Sequence, residues 1–144
     1  MTTPNETGKQ FEKRCYDLLT TANLDYLVKE RVRYNERYWY EPDAITYKYV
    51  FEFKYQQVVG SAKNKLTQAL FELDWLANKL AKIPILVYEG EHLTSFVEND
   101  PAFLKAHSYL SHINVLDFKT FDELISKSTD FNNRKQNRLL EYAC

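Results

Sequence analysis

The segment EPDAITYKYVFEFKYQ holds Asp43, then Glu52 and Lys54. A tight turn at Tyr47 and Lys48 that pairs Thr46 with Tyr49 sets Asp43 opposite Glu52, with Cβ atoms about 5 Å apart. Lys54 lies two residues past Glu52, so strand alternation gives it the same face and turns Phe51 and Phe53 to the other. Adjacent carboxylates repel, and one takes up a proton unless a cation compensates. Mg2+ suits such a pair, because it takes oxygen ligands from one or two carboxylates and leaves its other positions to water and substrate phosphate. There it can activate water, polarise a phosphoryl group and stabilise a leaving oxygen. Lys54, a movable point charge, can orient the water or neutralise the transition state. The competing reading is a cross-strand ion pair on a solvated sheet face, worth about 0.5 kcal/mol.

These residues need elements to hold them. Thr7 followed by Gln10 reads as a capping box, after which Phe11, Cys15, Leu18, Leu19 and Ala22 recur at helical spacing. Alternation from Tyr26 to Tyr34 predicts a strand, with Tyr26, Val28, Val32 and Tyr34 on one side and Leu27, Lys29, Arg31 and Arg33 on the other. A loop over Asn35–Glu41 leads past Pro42 into strands at Asp43–Tyr47 and Tyr49–Tyr55. Gly60 and Ser61 break the pattern. Leu66, Leu70, Leu73, Ala77 and Leu80 then mark a long amphipathic helix ending before Pro84. Ile83–Tyr88 is a buried strand; Pro101–Leu110 is a helix, Ile113–Leu116 a short strand, and Phe118–Lys127 a helix. The order is that of an α/β domain with a central mixed sheet flanked by helices, a single unit over residues 1–144.

Asp43 followed by Glu52-Phe53-Lys54, with Pro42 in front, resembles the PD-(D/E)XK motif of restriction-endonuclease-like nucleases. Those enzymes share an αβββαβ core with the motif on the second and third strands, the order read above. Gly8-Lys9-Gln10-Phe11-Glu12 also resembles the first helix of Holliday-junction resolvases and of small homing and restriction enzymes in this superfamily. The resemblance spans roughly residues 7–90, leaving 91–144 to complete the sheet, extend a dimer or contact DNA. It implies a Mg2+-dependent DNA endonuclease, with Mn2+ able to substitute. Asp43, Glu52 and the carbonyl of Phe53 would hold the metal, Lys54 would orient the water, and Glu12 would assist or bind a second ion. The substrate is double-stranded or branched DNA, cut either sequence-specifically or by structure.

Further residues fit a DNA surface. Lys29, Arg31, Arg33 and Arg37 form a basic stripe beside Tyr38-Trp39-Tyr40, and arginines with aromatics serve backbone contact and stacking. The same stripe would also guard an edge strand against aggregation. Gln56 continues the face of Glu52 and Lys54, while Lys63 and Lys65 open the long helix, where phosphate is favoured. Gln68 follows one turn on, in the place where exonuclease relatives carry a glutamine. Phe71 and Trp75 lie off the leucine face and suit a homodimer contact. Arg134, Lys135 and Arg138 offer a further basic group.

The remaining features exclude alternatives. His92, His107 and His112 lack zinc spacing. No Walker loop, dinucleotide fingerprint or Ser-His-Asp arrangement is visible. A net charge of −1 over 144 residues confines any nucleic-acid site to a local patch. Cys15 and Cys144 read as reduced thiols of a cytoplasmic protein, and no apolar run reaches the roughly 18 residues of a membrane span. The rival from another class is a nuclease-fold module that binds nucleic acid or assembles without turnover.

Overall fold

The structure, a computed structural model, describes residues 7–56 and 62–127, with side chains for all of these except residues 62–64. Helix α1 (Gly8–Thr21) begins where the Thr7 hydroxyl accepts from the Gln10 amide and the Gln10 side chain accepts from the Thr7 amide, the predicted capping box. Phe11, Cys15 and Leu19, one turn apart, are fully buried. The helix closes with the Leu24 amide on the Leu19 carbonyl and Asn23 at φ 61°, a left-handed position that asparagine tolerates.

The predicted strand over Tyr26–Tyr34 is not continuous. Leu27 makes one antiparallel bridge to Ile45, Lys29 then turns at φ 59°, and the chain leaves the sheet. Strand β1 (Val32–Arg33) instead pairs antiparallel with β2 (Trp39–Tyr40) in a separate ribbon, drawn from what reads as a loop. The Asn35 side chain accepts from the amides of Arg37 and Tyr38 and so builds the turn between them. Alternation alone cannot tell one strand from two short ones joined by a left-handed residue.

The main sheet follows. β3 (Ala44–Ile45) and β4 (Tyr49–Tyr55) are antiparallel, with Ala44 opposite Phe51 and Ile45 opposite Val50. The Thr46 amide donates to the Tyr49 carbonyl, so the register is the predicted one. Helix α2 (Ala62–Leu80) crosses to β5 (Ile83–Glu89), which lies parallel to β4. α3 (Glu91–Asn99), absent from the sequence expectation, and α4 (Pro101–Tyr109) lead to β6 (Asn114–Asp117), parallel to β5, and α5 (Phe118–Lys127) follows. The result is a mixed α/β fold with sheet order β3-β4-β5-β6.

Each sheet face carries its own core. Phe51, Phe53 and Val87 pack with Phe11 of α1 and Phe121 of α5. Val50 and Leu86 pack with Leu70 of α2, Leu93 of α3 and Phe103 of α4. β4 feeds both by alternation, and its second row ends in Glu52 and Lys54. At the other end of β4, buried Lys82 donates its Nζ to the carbonyls of Thr46 (2.8 Å) and Tyr47 (2.7 Å). Ala81 before it adopts φ 57°, and the Lys82 amide returns to Ala77, closing α2.

Candidate functional site

Since Ala44 faces Phe51, the next pair along the ladder is Asp43 with Glu52, at the carboxyl end of β4. The Asp43 amide donates to the Phe51 carbonyl (3.0 Å), and Asp43 Oδ2 accepts from the Phe53 amide (2.7 Å), so the ladder itself orients this carboxylate. Across the ladder it faces the Glu52 carboxyl, and the two carboxyls are electrostatically coupled. Lys54 Nζ stands 3.5 Å from Glu52 Oε2. The three predicted residues are thus together on one face, and Glu52 is only 7% exposed, which removes the solvated-surface reading.

The electrostatics record the crowding. Burial pushes the Glu52 carboxyl well above its usual range, and the charge of Asp43 adds to this while Lys54 opposes it. Burial also raises Asp43, against the Phe53 amide and Lys54, which favour its charged form. Lys54 is held above its ordinary value, because Glu52 and Asp43 outweigh its own desolvation. Glu12, half-buried on α1, is raised by burial and then by Asp43, and Lys54 draws it down. It lines one cavity with Asp43 and lies within electrostatic reach of Asp43 and Lys54.

Two participants escaped the sequence reading. Glu72 of α2 acts electrostatically on both Glu52 and Lys54, and Gln68 donates to its carboxylate at 2.6 Å. The signal was the spacing of Gln68 and Glu72, one turn apart on a single helix face. Tyr16 donates its hydroxyl to the Asp43 carbonyl (2.8 Å) and ties α1 to the entry of β3. Glu12, Asp43, Glu52 and Glu72 thus each interact electrostatically with Lys54, and Glu52 forms an ion pair with it.

That donor set fits a hard divalent cation. Oxygen ligands from Asp43 and Glu52, with the Phe53 carbonyl adjoining, would relieve the repulsion that now raises both acids. Among the described residues no group of three or more His, Cys, Asp or Glu side chains is arranged to hold a metal, so the protein would supply few ligands and leave the rest to water and phosphate.

The basic residues are distributed differently from expectation. Lys29, turned by its left-handed backbone, leaves the stripe and lines a cavity that also borders Glu12, Tyr16 and Asp43. Arg31 and Arg33 lie over Trp39, at 4.6 and 5.7 Å from its ring centroid, and Arg37 is exposed at the ribbon turn. Gln56 is half-buried, its amide on the Glu89 carbonyl; Lys65 is exposed on α2. The side chain of Lys63 and the whole of Gly60, Ser61, Arg134, Lys135, Arg138 and Cys144 lie outside the described residues.

Trp75 departs from its predicted place in a dimer contact. It stacks on Tyr34 (5.4 Å, 9°) and meets Tyr40 edge-on, anchoring the ribbon to α2, while Phe71 stays 57% exposed. His107 bonds the Ile113 carbonyl and His112 pairs with Asp74, in keeping with their reading as ordinary structural residues. Cys15 is a buried free thiol whose pKa burial raises, which makes it inert. No helix among the described residues is long and apolar enough to cross a membrane. No protein-family model, curated protein or solved structure matches the chain.

Proposed function

We propose that the protein is a Mg2+-dependent endonuclease hydrolysing phosphodiester bonds in DNA. The observation that carries this reading is the β3–β4 register, which sets half-buried Asp43 against buried Glu52, with Lys54 at 3.5 Å from Glu52. A fold does not set two such acids side by side unless the arrangement serves something, since burial and repulsion both act against it.

Asp43, Glu52 and the Phe53 carbonyl would hold the ion, with Glu12 available for a second one or its water. When bound, the metal supplies Lewis-acid polarisation of the phosphoryl group and a more acidic water. Lys54 then orients the attacking water and stabilises the negative charge that grows on the phosphoryl oxygens. The Phe53 amide fixes the Asp43 carboxylate, Glu52 and Asp43 favour the protonated form of Lys54, and Gln68 holds Glu72, which adds to their effect. Arg31, Arg33, Arg37, Lys63 and Lys65 would serve the DNA backbone, and exposed Phe71 would serve a homodimer.

The test is incubation of the protein with plasmid, linear duplex and a synthetic four-way junction, in Mg2+, in Mn2+ and in EDTA. Metal-dependent cleavage that Lys54→Ala and Asp43→Asn both abolish is the expected result; unchanged cleavage by either variant would sink the assignment. Junction cutting irrespective of sequence marks a structure-selective enzyme, and discrete fragments from linear duplex mark a sequence-specific one. The arginine-flanked Trp39 favours a second reading, a binding module without turnover, which predicts DNA affinity and no cleavage in either metal.

A further inference from the structure

The cavity beside the carboxylates has a volume of about 350 Å3 and shares Glu12 and Asp43 with them, so whatever enters it lies against the reacting centre. This volume falls at the low end of small-molecule sites, roughly 300–1,000 Å3, which is room for one nucleobase. One wall is the parallel stack of Tyr16 and Tyr26, with centroids 5.5 Å apart and planes inclined by 3°. Val28 adds apolar surface and Glu41 a carboxylate. Lys29 is the one basic residue in the lining, against the acids Glu12, Glu41 and Asp43. A phosphate drawn inside would meet three acids and one lysine, whereas a flat ring with amino donors on its edge meets apolar surface and acceptors.

The backbone keeps this space open. After the Leu27–Ile45 bridge a continuing strand would close over β3, but Lys29 at φ 59° carries the chain away. Lysine adopts that conformation only at a cost, and here the result is a gap beside Asp43. We infer that the cavity receives a single unpaired nucleobase adjoining the bond to be cut, so that the preferred substrate is DNA with an unpaired nucleotide: a bulge, a mismatch, a flap or a single strand. The base leaves its stack most readily where it has no partner, which makes the cavity selective for such sites. The cleavage half of this inference rests on the proposed hydrolase activity; the binding half does not.

Binding and cleavage are therefore read separately. A duplex carrying 2-aminopurine as its one unpaired base is titrated with the whole protein in EDTA, beside a duplex with 2-aminopurine fully paired. A fluorescence change confined to the unpaired position is expected. Val28→Trp, a substitution at a residue 42% exposed and so tolerable to the fold, fills the cavity. It should remove that response and lower the bulged-over-paired cleavage ratio in Mg2+ by roughly tenfold, the scale of one lost base stack. Equal responses at the two positions overturn the inference, as does a Val28→Trp protein, melting normally, that keeps the response. A response confined to the unpaired base without cleavage upholds the cavity and removes the hydrolase reading; cleavage with no preference does the reverse, and neither response nor cleavage removes both.

Discussion

The carboxylate cluster and the β1–β2 ribbon both concentrate charge, but they hold it by opposite means. Asp43 and Glu52 are placed by a ladder register, Glu52 buried and Asp43 half-buried, with Lys54 and Glu12 adding charge. Burial makes each of those interactions strong and leaves Glu52 far from its ordinary ionisation. The ribbon has two residues per strand, buries Val32 in the core, leaves Arg33 and Trp39 exposed and is attached through Tyr34 and Tyr40 on Trp75. Its guanidinium groups rest on Trp39 and remain solvated. On the proposed function, the buried, coupled charge would serve bond breaking and the exposed, salt-screened charge would grip a polyanion.

The comparison predicts separable defects. Asp43→Asn should lower turnover by about 10³-fold at saturating DNA, the scale of losing one fixed electrostatic group, with DNA affinity nearly unchanged. Trp39→Ala should instead weaken affinity by roughly tenfold and leave turnover at saturation in place. Gel-shift and single-turnover measurements distinguish the two, and loss of turnover in Trp39→Ala at saturation would merge the regions. Next in size, Trp75→Ala should cost about 2 kcal/mol of stability by removing the ring under Tyr34, and should weaken DNA binding although Trp75 touches no DNA. Chemical denaturation and the salt slope of binding check this.

Smaller effects sharpen the contrast through pH. Glu52 is raised in the folded state, so the stability linked to its proton is complete below its ordinary value of 4.5 and is lost as pH rises through the folded value. Glu52→Gln should therefore melt a few degrees above the parent in EDTA at neutral pH, with the difference vanishing in acid. Asp117, at the exposed start of α5, has the opposite sign. Hydrogen bonding from the Thr120 side chain, and then from its amide (2.8 Å), holds it below its ordinary 3.8. Its contribution is present above that value and fades as pH falls through the lowered one. Asp117→Ala should cost about 1 kcal/mol at neutral pH and little in strong acid, as thermal melts across pH would reveal.

The cluster was legible in advance because its determinants are local. Alternation from Tyr49 to Tyr55 and a tight turn sufficed to pair Asp43 with Glu52, and the capping box at Thr7 placed Glu12 on its helix. The ribbon was not legible, since the break at Lys29 uses a residue with no turn preference and follows from long-range anchoring of Val32 and Tyr34 against α2. For the same reason Trp75 looked like a surface aromatic: its partners arrive from forty residues earlier in the chain. Glu72 was hidden because a charged helix residue near a buried site reads like any solvated one. Local rules find what a strand pair carries; they miss what separate elements bring to it.

Lys82 gives the fold a particular tolerance to changes of length. Its ammonium grips the two carbonyls of the β3–β4 turn, and the Ile83 amide takes the carbonyl of Lys48. One residue added to that turn would unseat both bonds and, through the period of two, rotate Asp43 away from Glu52. The Asn35–Tyr38 turn is held by the Asn35 side chain and by exposed Arg33 of β1, which donates to the Glu36 carbonyl (3.1 Å). An insertion scan should find the ribbon turn permissive and the sheet turn closed, so the residues governing the carboxylates at one end of β4 include those at the other.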